Sequence, residues 1–215
     1  MKNIKNGKNI LTIVVVIVAI FVVWHPPAKN IPTPPQDNMA SSTLPSEISA
    51  PSFPDSVFEN AVTETDPEKK AIILQGTEME QALLHKNYAT FVDFTYPKVV
   101  AIVGGSQNMI NLMQTSNPSS KILNIMIGDP GDILTAGSEL QVTVPTRIFM
   151  EVTGTKKTGK LITDSTLIAV STDQGKNWTF IDTSGKSISM LKSVLPNLSG
   201  ELVVPPMSEP TFYPD

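Results

Sequence analysis

Cysteine is absent from the 215 residues. That absence removes disulfides, Cys-based zinc sites, thiol nucleophiles and lipid attachment through a lipobox cysteine. A domain built from this chain must hold together by packing alone. Histidine is nearly absent as well, with only His25 and His85. Ser/His/Asp constellations and His-based metal sites therefore have too few partners, and no cofactor or metal is expected. A basic surplus is also lacking. The formal net charge is −4 and the pI near 5.2, which argues against a nucleic-acid partner.

What the chain does have is 40% hydrophobic residues, enough for one domain with a real core plus appendages. Its 18 prolines gather toward the two ends and so separate tails from domain. Residues 1–8 carry Lys2, Lys5 and Lys8 with no acid, and residues 9–25 hold the unbroken apolar run Ile10–Trp24. A span of ~20 residues crosses a bilayer comfortably, whereas about 7–15 suit the core of a signal peptide. Trp24 suits the membrane interface, and His25-Pro26-Pro27 offers no small-x-small cleavage site. An uncleaved signal anchor is the reading this favours, with the lysines cytoplasmic and the rest outside. The alternative is a cleaved peptide and a secreted product. Residues 26–57 mix prolines and serines with few large apolar groups, a composition that favours an extended, disordered spacer.

The domain is expected over residues 58–204. Asp66-Pro67-Glu68 marks a helix start, with Asp66 as cap and Pro67 in the first turn, and the helix should run to about Lys86. Gly76 should weaken that helix. Tyr88–Tyr96 predicts a short second helix ended or kinked by Pro97, and Ser106 should cap a third over Gln107–Gln114. After Asn117-Pro118 the period turns extended. Strands are predicted over Lys121–Ile127, Glu139–Thr153, Leu161–Ser171 and Trp178–Asp182, with Gly-, Asp- and Lys-rich connections. Alternation in Leu140–Val144 implies one buried and one wet face, and Pro145 implies a bulge, bend or edge. Ser187–Leu195 reads as a closing helix, and residues 205–215 as a loose, disordered tail.

The last two strands form a predicted hairpin around the polar turn Thr172–Asn177. Inside it stands Ser171-x-Asp173-x-Gly175-x-x-Trp178, the spacing of the Asp box found in sialidases and related proteins. The physics of that motif is local. Asp accepts turn N–H groups, Gly tolerates positive φ, and the Trp ring folds back over the turn. A propeller sialidase needs several such boxes at regular intervals, and here there is one. The motif is therefore a structural staple, not an active site.

Helices followed by antiparallel strands predict an α+β domain, a curved four-stranded meander wrapped against helices. The segment A-L-L-H-K-N-Y-A-T-F-V-D-F-T-Y-P with the meander after it resembles the cone-shaped NTF2-like (cystatin-like) architecture. Through T-Y-P-K-V-V-A-I-V-G-G, L-I-A-V-S-T-D-Q-G-K-N-W-T-F-I-D-T-S-G-K and L-P-N-L-S, the stretch Lys70–Val204 also resembles an uncharacterised, membrane-anchored family of Bacteroidetes-type bacteria. The NTF2-like resemblance implies a cone between helices and sheet in which enzymes of that fold place an acid or base. Asp93, Tyr96 and Arg147 are the polar residues it would nominate.

Other signals are weaker. His85 sits at a helix end, where a cation suits the dipole. Asp129 and Asp132 flank Pro130-Gly131, which is turn chemistry. Gly185-Lys186-Ser187 resembles the end of a phosphate-binding loop, but Phe180 stands where the earlier glycine is required. The chain thus reads as a membrane-tethered, extracytoplasmic binding or accessory domain without catalytic activity, for a small ligand or a protein partner. The alternative is a small NTF2-like enzyme, isomerase or hydrolase-like, with an acid or base in the cone.

Overall fold

The computed structural model describes residues 53–116, 120–153, 158–205 and 208–214. Ile10–Trp24 lies outside the described residues, as does most of the 26–57 spacer. Among the described residues no helix is long and apolar enough to cross a membrane.

Helices come first. α1 spans Ser56–Thr63, inside and beyond the end of the expected spacer, and buries Phe58 and Ala61. α2 spans Pro67–Leu84. Its start is built as the residue types dictate: Asp66 Oδ1 accepts from the amides of Glu68 (2.9 Å) and Lys69 (3.1 Å), and Pro67 fills the first turn, where no amide partner exists. α3 (Tyr88–Asp93) and α4 (Pro97–Ile102) follow, the second of them unforeseen, with Pro97 opening it rather than only ending its predecessor. α5 spans Ser106–Thr115, and its cap is Gly105 rather than Ser106. Gly104 and Gly105 take φ of 92° and 98°, a reversal that a side chain would resist.

The sheet is antiparallel throughout and curved, with six strands rather than four: β1 (Ser120–Ile127), β2 (Leu134–Ala136), β3 (Glu139–Thr153), β4 (Thr158–Ser171), β5 (Thr179–Asp182) and β6 (Thr211–Pro214). β3 and β4 form the long central hairpin, in register from Thr153–Thr158 to Leu140–Ser171. β1 and β2 line the outer side of β3, while β5 and β6 line the outer side of β4. β6 lies in the stretch expected as a loose tail. Pro145 fits inside β3 because it falls between the β1 and β2 pairings. Its carbonyl accepts from Gly128 N at 2.7 Å, so its missing N–H points to the same gap and costs no bond to β4.

Side-chain alternation splits the core into two layers. Val142, Val144, Leu167 and Ala169 face α2, meeting Ile72 and Met79, with Phe180 from β5. Ile168 and Val170 face the other way, under Leu191 and Leu195 at the end of α6 (Ile188–Val194). The expected wet face of Leu140–Val144 is corrected at Gln141, which is fully buried. Its amide donates to Asn197 O (3.1 Å) and its carbonyl accepts from Ser199 N (3.0 Å), so the segment after α6 covers that face. The chain between α3 and α4 is pinned to β5 by reciprocal bonds, Tyr96 N to Phe180 O (3.0 Å) and Phe180 N to Phe94 O (2.7 Å). These bonds join the α3–α4 connection to the sheet, and a space lies between the helices and the sheet.

Candidate functional site

The Asp-box turn connects β4 to β5. Ser171 Oγ accepts from Gly175 N (3.0 Å) and donates to Asp173 Oδ1 (2.8 Å), while Asp173 accepts from Asn177 N (2.9 Å) and from the Asn177 side-chain amide (2.6 Å). These bonds, led by that from the Asn177 backbone, pull the Asp173 carboxyl down to about 2. Gln174 and Gly175 turn at φ of 64° and 82°. The Trp178 ring is 1% exposed, and its Nε1–H donates to Gly175 O at 3.0 Å. Gln75 on α2 clamps the turn from outside, accepting from Trp178 N (2.8 Å) and donating to Lys176 O (3.1 Å). Ser171, Asp173, Gly175 and Trp178 are thus taken up by bonds that shape the turn.

The three residues nominated for a cone do not meet. Asp93 is exposed at the end of α3. Tyr96 is buried on the α6 side of the sheet, where its hydroxyl donates to Glu139 Oε1 (3.2 Å). Desolvation, with Glu139 beside it, pushes that phenol up to about 12. Arg147 faces away from α2. Its guanidinium pairs with Asp164 (Nε–Oδ1 2.8 Å, Nη2–Oδ2 3.1 Å), with Asp55 and with Phe53 O (2.6 Å), and lies 4.6 Å from the centroid of the Phe58 ring. That network fastens the residues before and within α1 to the sheet. His85 is exposed, its Nδ1 2.8 Å from Gln81 O.

A cavity of about 90 Å³ does lie between the helices and the sheet, and none of these three residues lines it. α2 contributes Met79, Glu80 and Leu83, and the sheet contributes Ile125, Ile148, Leu167 and Phe180. Phe91, Val99 and Met109 close it from α3, α4 and α5. The wall is mainly hydrocarbon and thioether, with Thr95, Thr146, Asp182 and Lys186 also on it. Glu80 stands apart. It is 6% exposed, and its Oε2 has no hydrogen-bond partner among the described residues. Burial disfavours the charged form, nearby Asp182 adds repulsion, and together they push Glu80 up to about 8. Near neutral pH it is chiefly a carboxylic acid.

Polar groups gather at one side of the cavity, at the end of β5. Asp182 Oδ2 pairs with Lys186 Nζ at 3.2 Å, and the Lys186 side chain is only 10% exposed. Asp182 Oδ1 accepts from Ser184 N (3.1 Å) and Ser184 Oγ (2.7 Å), and Ser165 and Ser184 hydroxyls stand 2.5 Å apart. These groups satisfy one another. Glu80 does not share in them.

Glu80 was missed because Glu in the run Thr77–Gln81 reads as surface. The signal was nonetheless present. Ile72, Gly76, Glu80 and Leu83 fall at i, i+4, i+8 and i+11, so the apolar stripe of α2 passes through the carboxylate. Among the described residues no group of three or more acidic, His or Cys side chains is placed to hold a metal. Compared with family models, curated proteins and solved structures, the chain matches none of them.

Proposed function

We propose that this chain is a binding domain, tethered to a membrane by Ile10–Trp24 and lying outside the cytoplasm, that takes a small, mainly apolar molecule between its helices and sheet. The observation that carries the reading is an apolar cavity whose wall includes one buried, unpaired carboxyl. Polar groups so buried are costly without partners, so their retention at a void points to an occupant rather than to packing. Lys2, Lys5, Lys8 and the Pro/Ser spacer support the tether and its orientation. An NTF2-like cone is the fold family proposed for this α+β arrangement, and the binding role does not depend on that likeness.

One experiment addresses both parts. The full chain, expressed in a bacterial host and recovered from the membrane fraction, is melted with and without cyclopentane. The expected outcome is membrane recovery and a rise in Tm that Leu83→Trp, which fills the cavity, abolishes. A soluble full-length product would contradict the tether, and an unchanged Tm would contradict the binding site.

The second reading, a small NTF2-like enzyme, is favoured by one feature: an upshifted acid in an apolar cavity suits proton transfer, with Glu80 in the place considered for Asp93. A ligand recovered chemically altered after incubation would favour it; a ligand recovered unchanged would oppose it.

A further inference from the structure

The chemistry of the cavity also selects among apolar ligands, an inference that rests on the binding role above. Four features bear on it. Space is the first: about 90 Å³ is less than the ~150 Å³ that holds benzene in an engineered apolar cavity, so the enclosed part of a ligand is a few carbon atoms. Wall chemistry is the second: Leu83, Ile125, Ile148, Leu167 and Phe180 offer a ligand no hydrogen bond, and of the two wall threonines Thr95 already donates to Phe91 O (3.0 Å), which leaves the Thr146 hydroxyl. The third is Glu80, whose Oε2 is enclosed and unpartnered. The fourth is the set of charges facing it. Asp182 at the end of β5 and Lys186 just after it are the other titratable groups on the wall, and they are paired with each other at 3.2 Å. Wall residues from α3, α4, α5, β1, β3 and β4 are uncharged.

A cationic ligand would have to ionise Glu80 inside hydrocarbon, and an anionic one would lie beside two acids. A neutral molecule with an acceptor oxygen meets neither obstacle. We propose that the cavity takes a small uncharged molecule, hydrocarbon except for one carbonyl or ether oxygen, and that the Glu80 carboxylic acid donates a hydrogen bond to that oxygen. The acid then serves as a recognition group that tells a ketone from an alkane. Its upward displacement explains how it keeps a proton to donate near neutral pH.

Titration calorimetry of the full chain with cyclopentanone, cyclopentane and cyclopentylamine separates the possibilities. At pH 6 the ketone is expected to bind about fivefold more tightly than the alkane, the worth of one net hydrogen bond. That preference should shrink toward parity as pH rises past about 8, where Glu80 ionises. Glu80→Gln, which keeps an N–H donor, should retain the preference and lose its pH dependence, while Glu80→Leu should erase it. Equal affinity for ketone and alkane, or tightest binding by the amine with proton release, overturns the inference but leaves the binding role standing. Binding of none of the three overturns both.

Discussion

Asp173 and Glu80 lie on elements that touch, and their surroundings drive the same functional group in opposite directions. At the turn the carboxylate is ringed by donors, Asn177 backbone and side chain and Ser171 hydroxyl, and is held down at about 2. In the cavity the carboxyl meets methyls, rings and thioethers, has the Asp182 charge nearby, and is pushed up to about 8. The first site is closed, with the Ser171 hydroxyl, the Asp173 carboxylate and the Trp178 indole N–H spent on shaping a hairpin. The second is unfinished, with an enclosed, unpartnered oxygen on a residue that lines a void. Satisfied polar groups fix structure, and unsatisfied ones at a cavity mark where a partner belongs.

The contrast can be broken most severely at the turn. Trp178→Ala should destabilise by about 3–5 kcal/mol, because it removes a fully buried ring and leaves a cavity. Denaturant melts check this, and a loss under ~1 kcal/mol would show that the ring is not the staple of the hairpin. A smaller effect is expected from Asp173→Ala. Its carboxyl is lowered in the folded state, so its contribution is present above the ordinary value of 3.8 and fades as pH falls toward about 2. Wild type should therefore lose more stability than the variant between pH 4 and pH 2. Identical acid slopes would mean that the ring of donors does not hold the charge.

The turn was legible in the sequence and the cavity was not, for a physical reason. Ser171, Asp173, Gly175 and Trp178 act within eight residues of one another, so their spacing alone carries the geometry. The surroundings of Glu80 come from α2, α3, α4, α5 and four strands, and no local pattern assembles those. The same distinction runs through the fold. The long strands β3 and β4 announce themselves by length and β-branching, and Glu139–Thr153 was placed to the residue. The three-residue β2 and four-residue β6 are strands only because β3 and β4 offer them an edge. α1 was hidden by the prolines before it, and it is held by Arg147 lying over Phe58, across a separation no window spans. Asp93, chosen for standing among apolar neighbours, is exposed at the end of α3, which buries Val92 instead.

Everything proposed for the cavity depends on Glu80 holding its proton near neutral pH. The direct measurement is a pH titration of the Glu side-chain carboxyl carbons by 13C NMR, with the Glu80 resonance assigned by its absence in Glu80→Gln. The folded acid is expected to ionise near pH 8, against 4.5 for an unperturbed glutamate. Because the unfolded chain ionises first, stability should fall as pH rises across that window, by on the order of a few kcal/mol, and Glu80→Gln should remove the slope. A midpoint near 4.5 would mean that water or a donor reaches the carboxylate, and the cavity could not then read a ligand through that acid.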